Sequence, residues 1–210
     1  TDRWRLDGGR DSPEIMSLHR PQANDHKGPP VRIGEVIEAS TAAFAAQCYR
    51  LYEGPSLGSL VRCGDESPIY GIVREVTTRG MDGRRPTPRG HDEETEEGVY
   101  LSNPQLSRLL QTEISCVSVG HHSNGRLLRH LAPLPPRILS FVYRTDDDEL
   151  REFTRSLDFM PNLLAASVDV SDEAIAAFLR CSSETWPDPE RFLMDAGRQL
   201  ATLLASEMQR

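Results

Sequence analysis

Arg32-Ile33-Gly34-Glu35-Val36 is the first of three glycine-centred phrases in this sequence; the others are Leu57-Gly58-Ser59-Leu60-Val61 and Ile69-Tyr70-Gly71-Ile72-Val73. In each phrase a glycine (Gly34, Gly58 or Gly71) stands among aliphatic or β-branched residues. A glycine inside a strand has no side chain to pack, so it typically marks a tight bend or the close approach of another backbone. Small barrels turn their corners with glycines and bulges. The phrases therefore predict a small closed β-barrel.

Alternating apolar residues extend the strand pattern on both sides of these phrases. The segments with this pattern are residues 31–39, 44–52, 58–63, 69–77, 114–120, 126–131 and 137–143. The pair Asn124-Gly125 is a strong signal for a hairpin turn. The spacing of the segments suits a barrel of about six strands. We therefore expect a mainly β domain over residues 31–144.

An insertion is predicted within this domain. Residues 79–98 combine glycine, proline and blocks of charge and show no core periodicity. Loops of this length in compact domains are usually functional or disordered. After the loop, Asn103 is a suitable N-cap and Pro104 suits the first helical turn, with leucines following at helical spacing. We expect a short helix over residues 103–111.

The two ends of the chain differ from the predicted barrel. Residues 1–30 form a polar leader that we expect to be disordered; its residues 1–15 precede Met16, a plausible start, and are interpreted as upstream sequence. Residues 145–210 have a helical period instead of a strand period. Thr145 with Asp148 resembles a capping box, Ser171 is a suitable cap for the next helix, and Asp188 before Pro189 is typical of the start of the last one. These residues are predicted to form a helical region.

Charge and composition exclude several classes of function. The net charge of −8 disfavours a dedicated nucleic-acid binder, because phosphate contacts need clustered Lys and Arg. The single lysine, Lys27, precedes glycine, so the P-loop of ATP-hydrolysing enzymes is absent. No apolar run is long enough to cross a membrane. The cysteines are Cys48, Cys63, Cys116 and Cys181; they lack metal-ligand spacing and fit a reducing, cytoplasmic compartment. Cys48 and Cys116 lie in apolar strand-like runs and are interpreted as small core residues.

The insertion carries the candidate binding residues, which are Arg79, Arg84, Arg85 and Arg89. Arginine forks bind phosphate or carboxylate in a bidentate manner, and Arg126 and Arg129 would extend such a patch if the hairpin lies nearby. Alternatively, the loop neutralises its own acidic half, residues 92–97. Adjacent carboxylates such as these do not converge on a cation by themselves, and His121-His122 is interpreted as part of an exposed hairpin. We predict no catalytic residue, metal or cofactor.

Three short motifs in the predicted barrel resemble the HAS-barrel family, the small barrel at the N-terminus of HerA-type DNA translocases and of the catalytic subunits of rotary ATP synthases. The motifs are Ile33-Gly34-Glu35-Val36, Leu57-Gly58-Ser59-Leu60-Val61 and Tyr70-Gly71-Ile72-Val73. Arg84-Arg85-Pro86 and Ser102-Asn103-Pro104-Gln105-Leu106 are also similar to the family. The likeness covers roughly residues 31–165. The chain looks like a stand-alone bacterial member without the ATPase domain.

The resemblance implies a function in assembly. In this family the barrel forms a collar on a ring and offers a docking surface, including one for a nuclease, and it performs no chemistry. We therefore expect a non-catalytic module that docks on a ring NTPase, a nuclease or copies of itself in DNA processing, with strand edges at Ile33–Ile37 or Tyr70–Val73 open for pairing. Two alternatives remain: a nucleic-acid-binding barrel that uses the loop from Arg79 to Arg89, and a metal-dependent hydrolase that uses the acidic loop.

Overall fold

The computed structural model of this chain describes residues 31–165 and 172–207, so the predicted leader and the predicted cap at Ser171 lie outside the described residues. The strands are β1 (Arg32–Ala39), β2 (Ala43–Cys48), β3 (Leu60–Cys63), β4 (Ile69–Gly80), β5 (Leu110–Ser123), β6 (Arg126–Leu128) and β7 (Phe141–Arg144). The helices are α1 (Glu96–Ser102), α2 (Leu106–Leu109), α3 (Asp147–Thr154), α4 (Met160–Ala165), α5 (Asp172–Ser183) and α6 (Pro189–Glu207). The chain is mixed α/β, and all of the described strands precede the two longest helices, α5 and α6.

The strands form a single antiparallel sheet that is ring-like. Its order is β2-β1-β7-β3-β4-β5-β6, and β2 also pairs with β5. Because of this additional pairing, each strand except β6 has a neighbour on both sides. Phe44 of β2, for example, lies opposite Cys116 of β5. We call the circuit of β1, β2, β5, β4, β3 and β7 the ring. Strand β6 lies outside it and pairs with β5 in a hairpin. The predicted Asn124-Gly125 turn joins these two strands, and both of its residues have positive φ.

The expectation that two strand edges are open for pairing is wrong. In β1, Gly34 lies opposite Cys48 of β2 and also opposite Val142 of β7. In β4, Tyr70 lies opposite Arg62 of β3 and Gly120 of β5. Both segments therefore belong to interior strands of the ring, with a neighbouring strand on each side.

Apolar side chains fill the inside of the ring. They come from alternate positions of the strands, as the two-residue period of a strand requires. The buried members are Ile33, Val36, Phe44, Ala46, Cys48, Val61, Cys63, Ile69, Val73, Ile114, Cys116, Ala132 and Val142. A Cβ at Gly71 would lie 2.5 Å from Cε1 of Phe44, so the missing side chain makes room for this ring. Gly34 serves a different purpose, because a Cβ there would lie 2.1 Å from the carbonyl oxygen of Gln47 on the neighbouring strand.

A second core joins the outer surface of the ring to the helices. Leu60, Tyr70, Ile72, Val117 and Val119 point outward from β3, β4 and β5 and pack against residues of α3 to α6. Three phenylalanines form its centre, with ring centroids 5.1 Å and 5.5 Å apart along the series Phe153, Phe159 and Phe178. Gly58 has φ +80° and lies against the backbone of α5, where a Cβ would be 2.4 Å from the nitrogen of Phe178. The helical region is thus packed on the ring.

A helix that the sequence pattern did not predict begins at the end of the insertion. Helix α1 begins after Thr95, whose hydroxyl accepts a hydrogen bond from the Gly98 N–H at 3.1 Å. Asn103 ends this helix instead of starting the next one, since its side-chain amide donates to the carbonyl of Val99 at 3.0 Å. The predicted helix over residues 103–111 is reduced to α2, and β5 starts at Leu110. Tyr100 holds α1 to the turn after β2 through a hydroxyl contact of 2.5 Å with Tyr52.

Other element ends also differ from prediction. The strand expected over residues 44–52 ends at Cys48, and that expected over residues 137–143 starts only at Phe141. Asp146, not Thr145, caps α3, because its carboxylate accepts from the Glu149 N–H at 2.7 Å. The Thr145 hydroxyl instead donates to the carbonyl of Leu60 at 2.9 Å and ties the helix entrance to β3.

Candidate interaction surfaces

The candidate arginines lie on the exposed insertion, and three of them have separate partners. Arg79, at the end of β4, is paired with the carboxylate of Glu113 on β5. The Arg84 guanidinium lies 3.8 Å from the Asp82 carboxylate, and Arg89 donates to the side chain of Asn103 at 3.4 Å. Arg85 is exposed in the same stretch. Nearby carboxylates therefore neutralise Arg79 and Arg84, whereas the side chain of Arg85 is open to solvent.

The hairpin arginine Arg129 does not extend this patch. Its guanidinium donates to the carbonyls of Phe153 and Glu152, at 2.7 Å and 2.5 Å. Those two carbonyls belong to the C-terminal turn of α3, where a cation is favoured because of the helix dipole. Arg129 therefore fastens α3 to the hairpin.

The histidine pair is not an exposed hairpin as expected. His121 is only 6% exposed, and its Nδ1 lies 3.1 Å from the carbonyl oxygen of His130. The ring of His122 rests against Tyr70, with centroids 5.7 Å apart. Among residues 31–165 and 172–207, no group of three or more His, Cys, Asp or Glu side chains is placed to hold a metal ion.

The cysteine thiols inside the ring are buried and free. Burial raises the pKa of Cys48 to about 11 and that of Cys63 to about 12. The fully buried Cys116 also has a raised pKa for the same reason. Because the thiolate is the nucleophile, these thiols are unreactive near neutral pH and act as small apolar core residues.

A polar cluster that the sequence did not reveal joins α3 to the ring. The Nε of Arg62 lies 3.2 Å from Oε1 of Glu149, and the Tyr70 hydroxyl donates to the same oxygen at 2.7 Å. Burial raises the pKa of Glu149, an effect that the Tyr70 hydrogen bond and the Arg62 charge partly offset. The Arg62 guanidinium also lies 4.6 Å from the ring centre of Tyr143. All these contacts are internal, so the cluster positions α3.

A cleft of about 640 Å³ opens between the end of α3 and the start of α6. Trp186 forms its apolar wall, stacked on Phe192 with ring centroids 5.5 Å apart. The charged lining residues have both signs: Arg155, Asp158, Asp188, Arg191 and Asp195. Such a mixed rim does not select one class of charged ligand.

Several strongly exposed apolar side chains lie on the loop before β7. We call residues 131–140 the apolar loop. Leu134 is 74% exposed and Leu139 65% exposed, and Leu131 and Ile138 are exposed as well. Ala132 of the same loop belongs to the core inside the ring, so this residue anchors the loop on the ring. Ile37 of β1 adds a further exposed apolar side chain.

The apolar loop is held in one conformation. The Leu139 N–H donates to the carbonyl of Val36 at 2.8 Å, and the Val36 N–H donates to the carbonyl of Ser140 at 2.9 Å. Leu139 has φ +66°, a conformation that costs roughly 1–2 kcal/mol for a residue with a side chain. Prolines at 133, 135 and 136 restrict the backbone further. The hydrogen bonds at its C-terminal end and its prolines therefore restrict the conformations of the apolar loop.

The comparisons with known proteins found no matching family model and no matching curated protein. None of the helices in the described part of the chain combines the length and the apolar composition that crossing a membrane requires.

Proposed function

We propose that this chain is a cytoplasmic, non-catalytic interaction module that resembles the HAS-barrel and docks on a ring-forming NTPase or a nuclease in DNA processing. The observation that carries the proposal is the apolar loop, in which Leu134, Ile138 and Leu139 are each more than half exposed. Contiguous exposed apolar side chains mark surfaces that another protein covers. The buried free thiols agree with a reducing compartment.

The energetics of the apolar loop favour docking. Fully burying one leucine or isoleucine side chain contributes about 1.5–3 kcal/mol. The loop is already ordered by its prolines and by its hydrogen bonds to Val36, so binding loses little conformational entropy. Several such side chains on a preorganised segment are sufficient to anchor a specific interface.

The ring supports this function as a frame. A closed barrel leaves no strand edge for indiscriminate pairing, and the circuit of strand pairings in the ring is what such a barrel requires. The ion pair between Arg62 and Glu149 is internal and joins the ring to α3. Contacts of this kind stabilise the frame that presents the apolar loop.

A capture experiment tests the proposal. The whole chain is immobilised, exposed to lysate of its native cells, and the retained proteins are identified by mass spectrometry. We expect an ATPase or a nuclease with the wild type and a loss of that protein with Leu134→Asp. Leu101→Asp is the matched control, because Leu101 on α1 is 70% exposed but lies outside the loop. Failure to capture either class of enzyme, or equal capture by Leu134→Asp, contradicts the proposal.

One observation favours a second candidate function, nucleic-acid binding. Residues 81–90 are exposed throughout, and they carry Arg84, Arg85 and Arg89. A single strand bound along such a surface releases counterions, so its affinity falls steeply with salt. We expect a mobility shift at low salt that is lost in the triple alanine variant of these arginines. Absence of a shift with the wild-type protein eliminates this function.

A further inference from the structure

Helix α6 has an apolar face that packs on the helical core. Phe192 and Ala196 are buried there, and Leu200 and Leu203 pack against the same core. The Asp188 carboxylate caps the helix by accepting from the Arg191 N–H at 3.0 Å, as the Asp-Pro signal predicts. One side of this helix is thus fully used by the fold.

A second apolar face of α6 is exposed. We call it the outer face; it consists of Leu193, Met194, Gly197, Ala201, Leu204 and Ala205. Met194 is 55% exposed and Leu204 44% exposed. A Cβ added at Gly197 would meet no heavy atom of a neighbouring element within 4 Å in the described structure. A surface helix normally carries polar residues opposite its buried stripe, so this wider apolar arc needs a second partner.

The outer face is self-complementary. Its members stand at equal distances on either side of Gln199: Leu193 with Ala205, Met194 with Leu204, and Gly197 with Ala201. In an antiparallel pair of identical helices related by a twofold axis near Gln199, each member meets its counterpart in the other copy. Leu193 would then face the small Ala205. Gly197 and Ala201 would meet at the centre, where small side chains allow the helix backbones to come close.

We propose that the outer face of α6 binds the outer face of a second copy of this chain, with the two helices antiparallel. The face extends over about 18 Å of helix, since each residue rises 1.5 Å. With a width of about 10 Å, it covers on the order of 200 Å² per copy, about a quarter of the roughly 800 Å² that one partner contributes to a standard interface. The dimer is therefore weak and concentration-dependent. Because each copy carries a net charge of −8, salt strengthens the dimer by screening the repulsion.

Sedimentation velocity of the whole chain over a concentration series tests the dimer. We expect the wild type to change from monomer to dimer at concentrations on the order of 10–100 µM, and at lower concentrations in high salt. We expect Gly197→Glu to weaken the dimer at least about tenfold, which corresponds to 1.4 kcal/mol. This change also replaces a helix-interior glycine with a better helix former, so the monomer keeps or gains stability in urea unfolding. Loss of dimer through misfolding is thereby excluded.

A neighbouring position supplies the matched control. Thr202→Glu adds the same charge on the polar side of α6, where the Thr202 hydroxyl donates to the Arg198 carbonyl, and we expect an unchanged dimer. A wild type that remains monomeric throughout the series, or equal effects of Gly197→Glu and Thr202→Glu, overturns the proposal.

The antiparallel arrangement has its own test. Leu193→Lys and Ala205→Glu are each expected to weaken the dimer, because each places one charge against an apolar partner. In the double variant, the new lysine of one copy faces the new glutamate of the other if the helices are antiparallel, and we expect most of the wild-type affinity to return. In a parallel dimer, like charges would meet and no recovery would occur. That result overturns the proposed arrangement.

Discussion

The packing inside the ring makes a quantitative prediction about Gly71 and Phe44. In Gly71→Ala the new methyl carbon would lie 2.5 Å from Cε1 and 2.7 Å from Cζ of Phe44, and 3.0 Å from Cβ of Cys116. Phe44 is 3% exposed and Cys116 is fully buried, so neither can move into solvent. Such overpacking costs about 1–3 kcal/mol of unfolding free energy.

Shortening Phe44 removes the obstacle. Phe44→Leu alone leaves a partial cavity and costs roughly 1–2 kcal/mol, less than the 3–5 kcal/mol typical of Phe→Ala. In Gly71→Ala/Phe44→Leu the added methyl occupies space that the phenyl ring has left. We therefore expect the double variant to lose at least about 1 kcal/mol less than the sum of the two single changes.

Urea unfolding followed by circular dichroism measures this coupling in a double-mutant cycle. Gly34→Ala is the control, because the obstacle at Gly34 is the backbone carbonyl of Gln47 and not a side chain. Its cost should add to that of Phe44→Leu without recovery. Additive effects for Gly71→Ala and Phe44→Leu would refute the close packing of these two residues inside the ring.

Four further predictions concern the second core, the polar cluster and the thiols. Gly58→Ala should lower the free energy of unfolding in urea by about 3 kcal/mol or more, because Gly58 has φ +80° and lies against the backbone of α5. A cost below about 1 kcal/mol would contradict this close contact between Gly58 and α5. Since burial raises the pKa of Glu149, the folded chain binds the proton of this carboxyl group more tightly than the unfolded chain does. The wild type should therefore lose stability relative to Glu149→Gln as the pH rises from about 4 to 7. A difference in stability between the two proteins that stays constant over this range refutes the prediction. Glu149→Ala, which leaves Arg62 unpaired, should cost about 2–3 kcal/mol at neutral pH. A thiol reagent should modify the half-buried Cys181 first and the thiols inside the ring only as the chain unfolds, as mass spectrometry of the labelled peptides would show.

Local patterns predicted the strands of the ring well where one face is buried. The first strand was expected over residues 31–39 and spans Arg32–Ala39, because alternate apolar residues specify both its conformation and its inward face. The spacing of Leu106, Leu109 and Leu110 predicted a helix, yet Leu110 starts β5. A short apolar run fits both the helical period and the strand period. The pairing of Leu110 with Gly80 of β4 determines that this residue belongs to a strand.

The surfaces could not be predicted in the same way. The contact between Arg62 and Glu149 joins residues far apart in the sequence, and no local pattern indicates it. Thr95 followed by Glu96 and Glu97 was a usable signal for the start of α1, but the surrounding glycines and prolines favoured a loop. The exposure of Leu134 depends on how the apolar loop packs against the ring, which only the three-dimensional arrangement determines.

The two proposed surfaces rest on different cores and can therefore act at the same time. The apolar loop is anchored by Ala132 in the core inside the ring, whereas α6 is anchored by Phe192 and Ala196 in the outer core. A change such as Leu134→Asp should leave the dimer intact, and Gly197→Glu should leave each apolar loop intact. The proposed dimer carries two apolar loops, so a ring-forming partner with repeated subunits would be bound at two points. Avidity then raises the affinity by as much as about 10²–10⁴ without any new contact, provided that the two loops reach two subunits together. A weak dimer and a modest docking surface would in this way produce firm attachment to an assembled ring and only loose attachment to its single subunits.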